Sequence, residues 1–253
     1  MQSLTIVALP EYSSELNKAL LDTVKTGSVE QVVAQINSGA DLNVIDIYGR
    51  GAQHYAAMFG NKAVFSYLVS CGLDAHMLDK NKKGPHYYAS WFGQNEFLKY
   101  MVENHNLDLG IADNDGEVAL HYAIRNNQYE TFDYLVKEFS MNPMARNNDG
   151  TDAILYAAWG GFCNTIRKLV TEHRMDINTK DDTGSGILHL LACKGDSVTA
   201  QSILEQYKVD PSLRNNAGYT AQEIAREEGF KELANILAAA ERKKMSLSGG
   251  LCK

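Results

Sequence analysis

Asp46-Ile47-Tyr48-Gly49-Arg50-Gly51-Ala52-Gln53-His54-Tyr55-Ala56-Ala57-Met58-Phe59-Gly60 is the first of six copies of one pattern. Its skeleton is an Asp or Asn, a Gly three residues on, a His or a substitute, a small pair, and a closing Gly or Asn. The next copies read Asp79, Lys82, Tyr87, Ala89, Ser90, Gly93, then Asp113, Gly116, His121, Ala123, Ile124, Asn127. Three more follow: Asn147, Gly150, Leu155, Ala157, Ala158, Gly161; Asp181, Gly184, His189, Leu191, Ala192, Gly195; and Asn215, Gly218, Glu223, Ala225, Arg226, Gly229. The spacing is 33 residues once and 34 thereafter, which marks an array of like units.

Each copy holds two short apolar stretches, such as Ala56 and Ala57 followed by Val64, Tyr67 and Leu68, at the i, i+3, i+4 spacing of amphipathic helices. Neither helix alone buries enough surface to be stable, whereas stacked units share a core with their neighbours. The small pair lets the first helix of each copy approach the next closely. Asp or Asn with Gly suits a tight turn, and the closing Gly suits a left-handed residue after a helix. Inserted-looking steps at 104–108, 138–142, 172–176 and 206–210 account for the longer period.

At these positions the chain resembles the ankyrin repeat, whose pattern D-x-x-G-x-T-P-L-H-x-A-A-x-x-G is followed by an apolar helix and a G-A-D-x-N step. The four-residue core of that pattern appears as Gly51-Ala52-Gln53-His54, Gly84-Pro85-His86-Tyr87, Val118-Ala119-Leu120-His121, Asp152-Ala153-Ile154-Leu155, Gly186-Ile187-Leu188-His189 and Thr220-Ala221-Gln222-Glu223. A degenerate capping unit precedes them, with Leu16, Ala19, Leu20 and Val24, then Gly39-Ala40-Asp41-Leu42-Asn43. The resemblance implies an all-α repeat solenoid, curved and elongated, of paired antiparallel helices with short hairpins. Its units lie at about 14–45, 46–78, 79–112, 113–146, 147–180, 181–214 and 215–240. Regular repetition argues for one domain, flanked by an N-terminal extension (1–13) and a basic tail (241–253) predicted to be disordered. Leu4, Ile6, Val7 and Leu9 are apolar enough to dock along the first unit, and Leu233, Ile236 and Leu237 supply a buried face for a C-terminal cap.

The chain carries a net charge of -7; the tail is +3, which leaves the rest at -10. Such a body repels phosphate backbones, so general nucleic-acid binding is not expected. The opening residues lack the positive leader and cleavage site of a secretory signal, and no stretch is long enough for a membrane helix. Cys71, Cys163, Cys193 and Cys252 form no C-x-x-C pair, which fits a reducing intracellular, cytoplasmic compartment, and Cys252 stands too near the end for a prenylation box.

No catalytic set, metal site or cofactor motif survives the repeat register. His54, His121 and His189 occupy the family's recurrent His position, which implies a structural hydrogen bond. Asp113-Asn114-Asp115-Gly116 begins like a calcium loop, but its Gly comes too early, and together with 147–150 and 181–184 it reads as turn chemistry. No H-E-x-x-H, phosphate loop or nucleophile elbow is present. No enzymatic activity and no cofactor are expected.

In ankyrin-like arrays the hairpin tips and exposed sides of the inner helices form the concave face that takes a partner. Carried over by register, the partner-binding candidates are Tyr48, Arg50, Met58, Phe59, Trp91, Phe92, Arg125 and Trp159. Met58, Phe59, Trp91 and Phe92 form either an exposed apolar patch or a seal between inner helices. Tyr55, Tyr88, Tyr122 and Tyr156 make a second ladder, which reads first as structural. The residues before each tip run Ile45, Leu78, Ala112, then Arg146, Lys180, Arg214, matching a partner with an apolar end and an acidic end; Lys80, Lys82 and Lys83 complicate that split. The leading expectation is a non-enzymatic scaffold or adaptor for another protein. The alternatives are a secreted bacterial effector acting on host proteins, for which the Ser-rich basic end is the only cue, and a small-molecule regulator or enzyme with a pocket between hairpins.

Overall fold

The computed structural model describes residues 11–249. Over these residues the chain forms fourteen helices and no strand. The helices come in pairs: α1 (Glu11–Thr26) with α2 (Val29–Asn37), α3 (Ala52–Met58) with α4 (Lys62–Ser70), α5 (Pro85–Trp91) with α6 (Asn95–His105) and α7 (Ala119–Arg125) with α8 (Tyr129–Phe139). Then follow α9 (Ala153–Trp159) with α10 (Cys163–Glu172), α11 (Ile187–Lys194) with α12 (Ser197–Gln206), and α13 (Ala221–Glu227) with α14 (Lys231–Gly249). This is an all-α repeat architecture, one pair per predicted unit.

By packing the chain comprises two compact units, Met1–Asn114 and Asp115–Lys253. In the first unit α1, α3 and α5 pack in series, and Ala56, Ala57 and Ala89 are fully buried where the small pair was expected. Phe65 on α4 meets Phe97 on α6 edge to face, with ring centroids 5.0 Å apart. In the second unit α7, α9, α11 and α13 pack in the same serial way. Leu120, Ile124, Phe132, Leu135 and Ile154 are among its fully buried side chains.

The local chemistry explains the boundaries. Asn61 caps α4 by accepting the Val64 N–H, while its amide donates to the Val24 and Gly27 carbonyls and so ties two pairs together. The longer period is absorbed just past the outer helices, where Asn106, Ser140 and Arg174 take left-handed conformations. The C-terminal end departs from expectation. Helix α14 continues to Gly249, past the boundary at 240 where disorder was predicted. From Ala238 to Met245 the sequence has no Gly, Pro or β-branched residue, and Lys244 pairs with Asp210 and donates to Ser212. The residues of the proposed N-terminal docking segment and Cys252 lie outside the described residues. Among those described, no helix is long and apolar enough to cross a membrane.

Candidate functional site

The recurrent histidine builds the platform. His54 Nδ1 accepts the Gly51 N–H at 3.0 Å, so its other nitrogen carries the proton and donates to the Lys83 carbonyl at 3.1 Å. One ring thereby caps its own inner helix and holds the next hairpin. Burial holds its pKa below the ordinary histidine value, which keeps this neutral tautomer. His121 repeats the arrangement between Val118 and Ala145, and His189 between Gly186 and Tyr219. Where the chain departs from His, other chemistry substitutes. Tyr87 reaches the Ile111 carbonyl at 2.6 Å. Asp152 accepts the Leu155 N–H. Glu223 accepts the Thr220 N–H at 2.8 Å.

On this platform stand the hairpin tips of the first unit. Asp46 Oδ1 accepts the N–H groups of Tyr48 and Arg50, and its Oδ2 accepts the Tyr55 hydroxyl and the Arg50 guanidinium at 2.6 Å. Burial opposes ionisation of Asp46, but those hydrogen bonds outweigh it and hold the carboxyl below its ordinary value. Arg50 lies over the Tyr48 ring at 4.8 Å and the Tyr55 ring at 5.3 Å. Asp79 does the same at the next tip, accepting the N–H groups of Asn81 and Lys83 and the Tyr88 hydroxyl. The tyrosine ladder is therefore structural at Tyr55 and Tyr88. The tips expose Ile45, Ile47, Tyr48 and Leu78, with Ile47 at 77%. Sequence reasoning missed Ile47; the available signal was an apolar residue at a position filled by Lys80, Asn114, Asn148, Asp182 and Asn216 in the other copies.

The inner-helix ends carry the second apolar group. Phe59 and Phe92 follow the last residues of α3 and α5, are 46% and 45% exposed, and stack with centroids 6.3 Å apart and planes within 17°. At about 1.5 Å per helical residue, α3 sets this pair roughly 10 Å from the tips. The four-residue patch is thus halved. Met58 must be corrected: it is buried, because it sits one residue and about 100° of helix rotation before Phe59 and points into the packing. Trp91 is half-buried for the same reason.

In the second unit Arg125, Arg146 and Arg214 have partners within the chain, while Trp159 stays half-exposed. Arg125 places its guanidinium 2.6 Å and 2.8 Å from the oxygens of buried Glu117 and lies over the Tyr122 and Tyr156 rings. Tyr156 donates to the same carboxylate and accepts from Asn147. Trp159 is half-exposed, with the Lys194 ammonium 4.2 Å above its ring. Arg146 donates to Thr179 and the Lys180 carbonyl, with Asp152 at 3.7 Å, and Arg214 pairs with Glu223 at 2.8 Å. An open groove of about 400 Å³ lies between α12 and α14, lined by Leu204, Val209, Pro211 and Ala240, with Lys243 and Lys244 at its edge.

A family model described as ankyrin repeats in three copies matches residues 20–113 and 88–181, more than half of the chain. No curated protein matches by sequence. Among solved structures, a chain from the Bdellovibrio bacteriovorus predatory endopeptidase Bd0816 in complex with immunity protein Bd3460 is similar at 23% identity and a TM-score of 0.60. The match covers 74% of this chain and 96% of that one. The ankyrin repeat domain of Bcl-3, a member of the IkappaB protein family, is similar at 22% identity and a TM-score of 0.59, covering 87% and 97%. At these identities the two structures speak for the fold.

Proposed function

The chain belongs to the ankyrin-repeat family, and from that premise we propose that it is a non-enzymatic scaffold or adaptor whose first unit docks a partner protein. The observation that carries this reading is the stacked, half-exposed pair Phe59 and Phe92, with the apolar tip residues Ile47, Tyr48 and Leu78 on the same unit. Large apolar side chains left in water on a rigid framework are the usual anchors of an interface, and the framework limits the ordering lost on binding. Arg50 orients Tyr48 from below. Arg125 is occupied by Glu117, and Lys194 lies over the Trp159 ring, so neither is assigned a contact role. The basic ladder Arg146, Lys180, Arg214 is likewise not offered as the dock for an acidic end, because Arg146 and Arg214 already face carboxylates.

The test is affinity capture with a Phe59→Ser, Phe92→Ser chain beside a Trp159→Ser chain, both checked by circular dichroism. The first is expected to lose about a hundredfold in partner affinity and the second to bind like wild type. Undiminished capture by the first chain would sink the proposal.

A further inference from the structure

Five of the six hairpin tips place glycine at their fourth position: Gly49, Gly116, Gly150, Gly184 and Gly218, with φ between +72° and +87°. The second tip instead holds Lys82, at φ +62°. The left-handed region is unfavourable for an L-residue by about 1 kcal/mol or more and costs glycine almost nothing. Asp79 keeps the lysine there: its side chain accepts the Asn81 and Lys83 N–H groups, and its carbonyl accepts the Lys82 N–H at 3.1 Å. Strain held by surrounding bonds at one copy of a repeated turn points to a role for the side chain rather than the turn.

The charges around this tip point outward. Lys80 and Lys82 are exposed, and neither has a carboxylate partner among the described residues. Lys80 donates to the Ile47 carbonyl at 2.7 Å, which sets its ammonium beside the apolar first tip. The acids that open the two tips are engaged: Asp46 is held by Arg50 and Tyr55, and Asp79 is buried under Tyr88. In a chain of net charge -7, this leaves an uncompensated pair of cations next to Ile45, Ile47, Tyr48 and Leu78. Two of the corresponding tips of the second unit expose Asp149 and Asp182, where a carboxylate would be repelled.

We propose that the Lys80-Asn81-Lys82 tip receives carboxylate side chains from an extended partner segment whose apolar residues lie against the neighbouring tip. This rests on the reading that the first unit docks a protein, and it adds the chemistry of what is docked. A phosphate backbone would meet the same cations, but the flanking apolar side chains and the acidic chain favour a peptide.

Fluorescence anisotropy with labelled peptides of about 12 residues tests it, each carrying the same Leu and Phe positions separated by Glu, by Gln or by Lys. Two exposed ion pairs should make the Glu peptide bind about fivefold tighter than the Gln peptide at low salt, with the difference closing at high salt. A Lys80→Gln, Lys82→Gly chain should retain the wild-type circular dichroism and the Gln-peptide affinity while losing the Glu preference. Equal binding of the Glu and Gln peptides to wild type, a Glu preference that survives in the variant, or no binding of any peptide would overturn the inference. So would an oligouridylate of matched charge binding as tightly as the Glu peptide. If instead Phe59→Ser, Phe92→Ser leaves all peptide affinities unchanged while the Glu preference stays, it is the aromatic dock that fails and not the basic tip.

Discussion

At matching repeat positions the two units are built with opposite preferences. The second residue of the inner helix is buried and apolar in the first three inner helices of the second unit, Leu120, Ile154 and Leu188, and polar only at the terminal one, Gln222; in the first unit it is Gln53 and His86, both buried and polar. Gln53 finds the Asp74 carbonyl, whereas both His86 nitrogens and the Ser90 hydroxyl one helical turn away have no hydrogen-bond partner. At the inner-helix end the order reverses: the first unit shows Phe59 and Phe92, where the second has Asn126, Gly160, Lys194 and Glu228, with exposed Trp159 one residue earlier in its copy. An orphaned buried polar group costs about 1–3 kcal/mol. Polar groups inside and aromatic rings outside in the same unit indicate a part of the array shaped by something other than its own stability. In the second unit Arg125, Arg146 and Arg214 are paired with carboxylates of the same chain, as suits a support.

The largest effect should come from breaking the support. Arg125→Ala removes the cation that neutralises buried Glu117, and a loss of about 3 kcal/mol in chemical denaturation is expected. A loss under about 1 kcal/mol would mean that the pair is not structural and that Arg125 is available as a contact residue after all.

The next effect lies in the first unit. Burial, with smaller contributions from His76 and His54, pushes His86 down to about 3, against an ordinary value near 6.5. The unfolded chain therefore takes up a proton that the folded one refuses. Nothing is lost above pH 6.5, and stability falls by about 1.4 kcal/mol per pH unit as pH drops from 6.5 towards 3, or about 2 kcal/mol at pH 5. Denaturation of His86→Leu at pH 7.5 and pH 5 should show that much less acid sensitivity than wild type. His54, His105 and His189 are also shifted downward, so part of the slope remains. An unchanged slope would remove His86 from the comparison.

The smallest effect on stability belongs to the surface. Phe59→Ser with Phe92→Ser should change unfolding by about 1 kcal/mol or less, since both rings are about half in water. A markedly larger loss would make the pair a seal between helices and erase the contrast between the units.

The architecture was legible because its signals are local and repeated: the small pair, the tip turns and the His position fall within fifteen residues of one another, and the set recurs every 33 or 34 residues. The register also placed Phe59, Phe92 and Tyr48 on the candidate face, while leaving the two rings open between an exposed patch and a seal. Met58 was not, because one step along a helix rotates a side chain from surface to core. The pairing of Arg125, Arg146 and Arg214 was not read because their partners Glu117, Asp152 and Glu223 lie six to nine residues away in sequence. The helix past Ala240 was overlooked because charge and serine content were weighed above the helix-forming run before Gly249. The orphaned His86 was visible only as an odd residue; its lack of partners is a property of the packed unit.

The most direct test of a binding face confined to the first unit is photo-crosslinking with benzoylphenylalanine at position 92 or at position 159, in chains that both capture the partner. The account predicts a covalent adduct from position 92 and none from position 159. An adduct from 159 with none from 92 would place the partner on the second unit and contradict it.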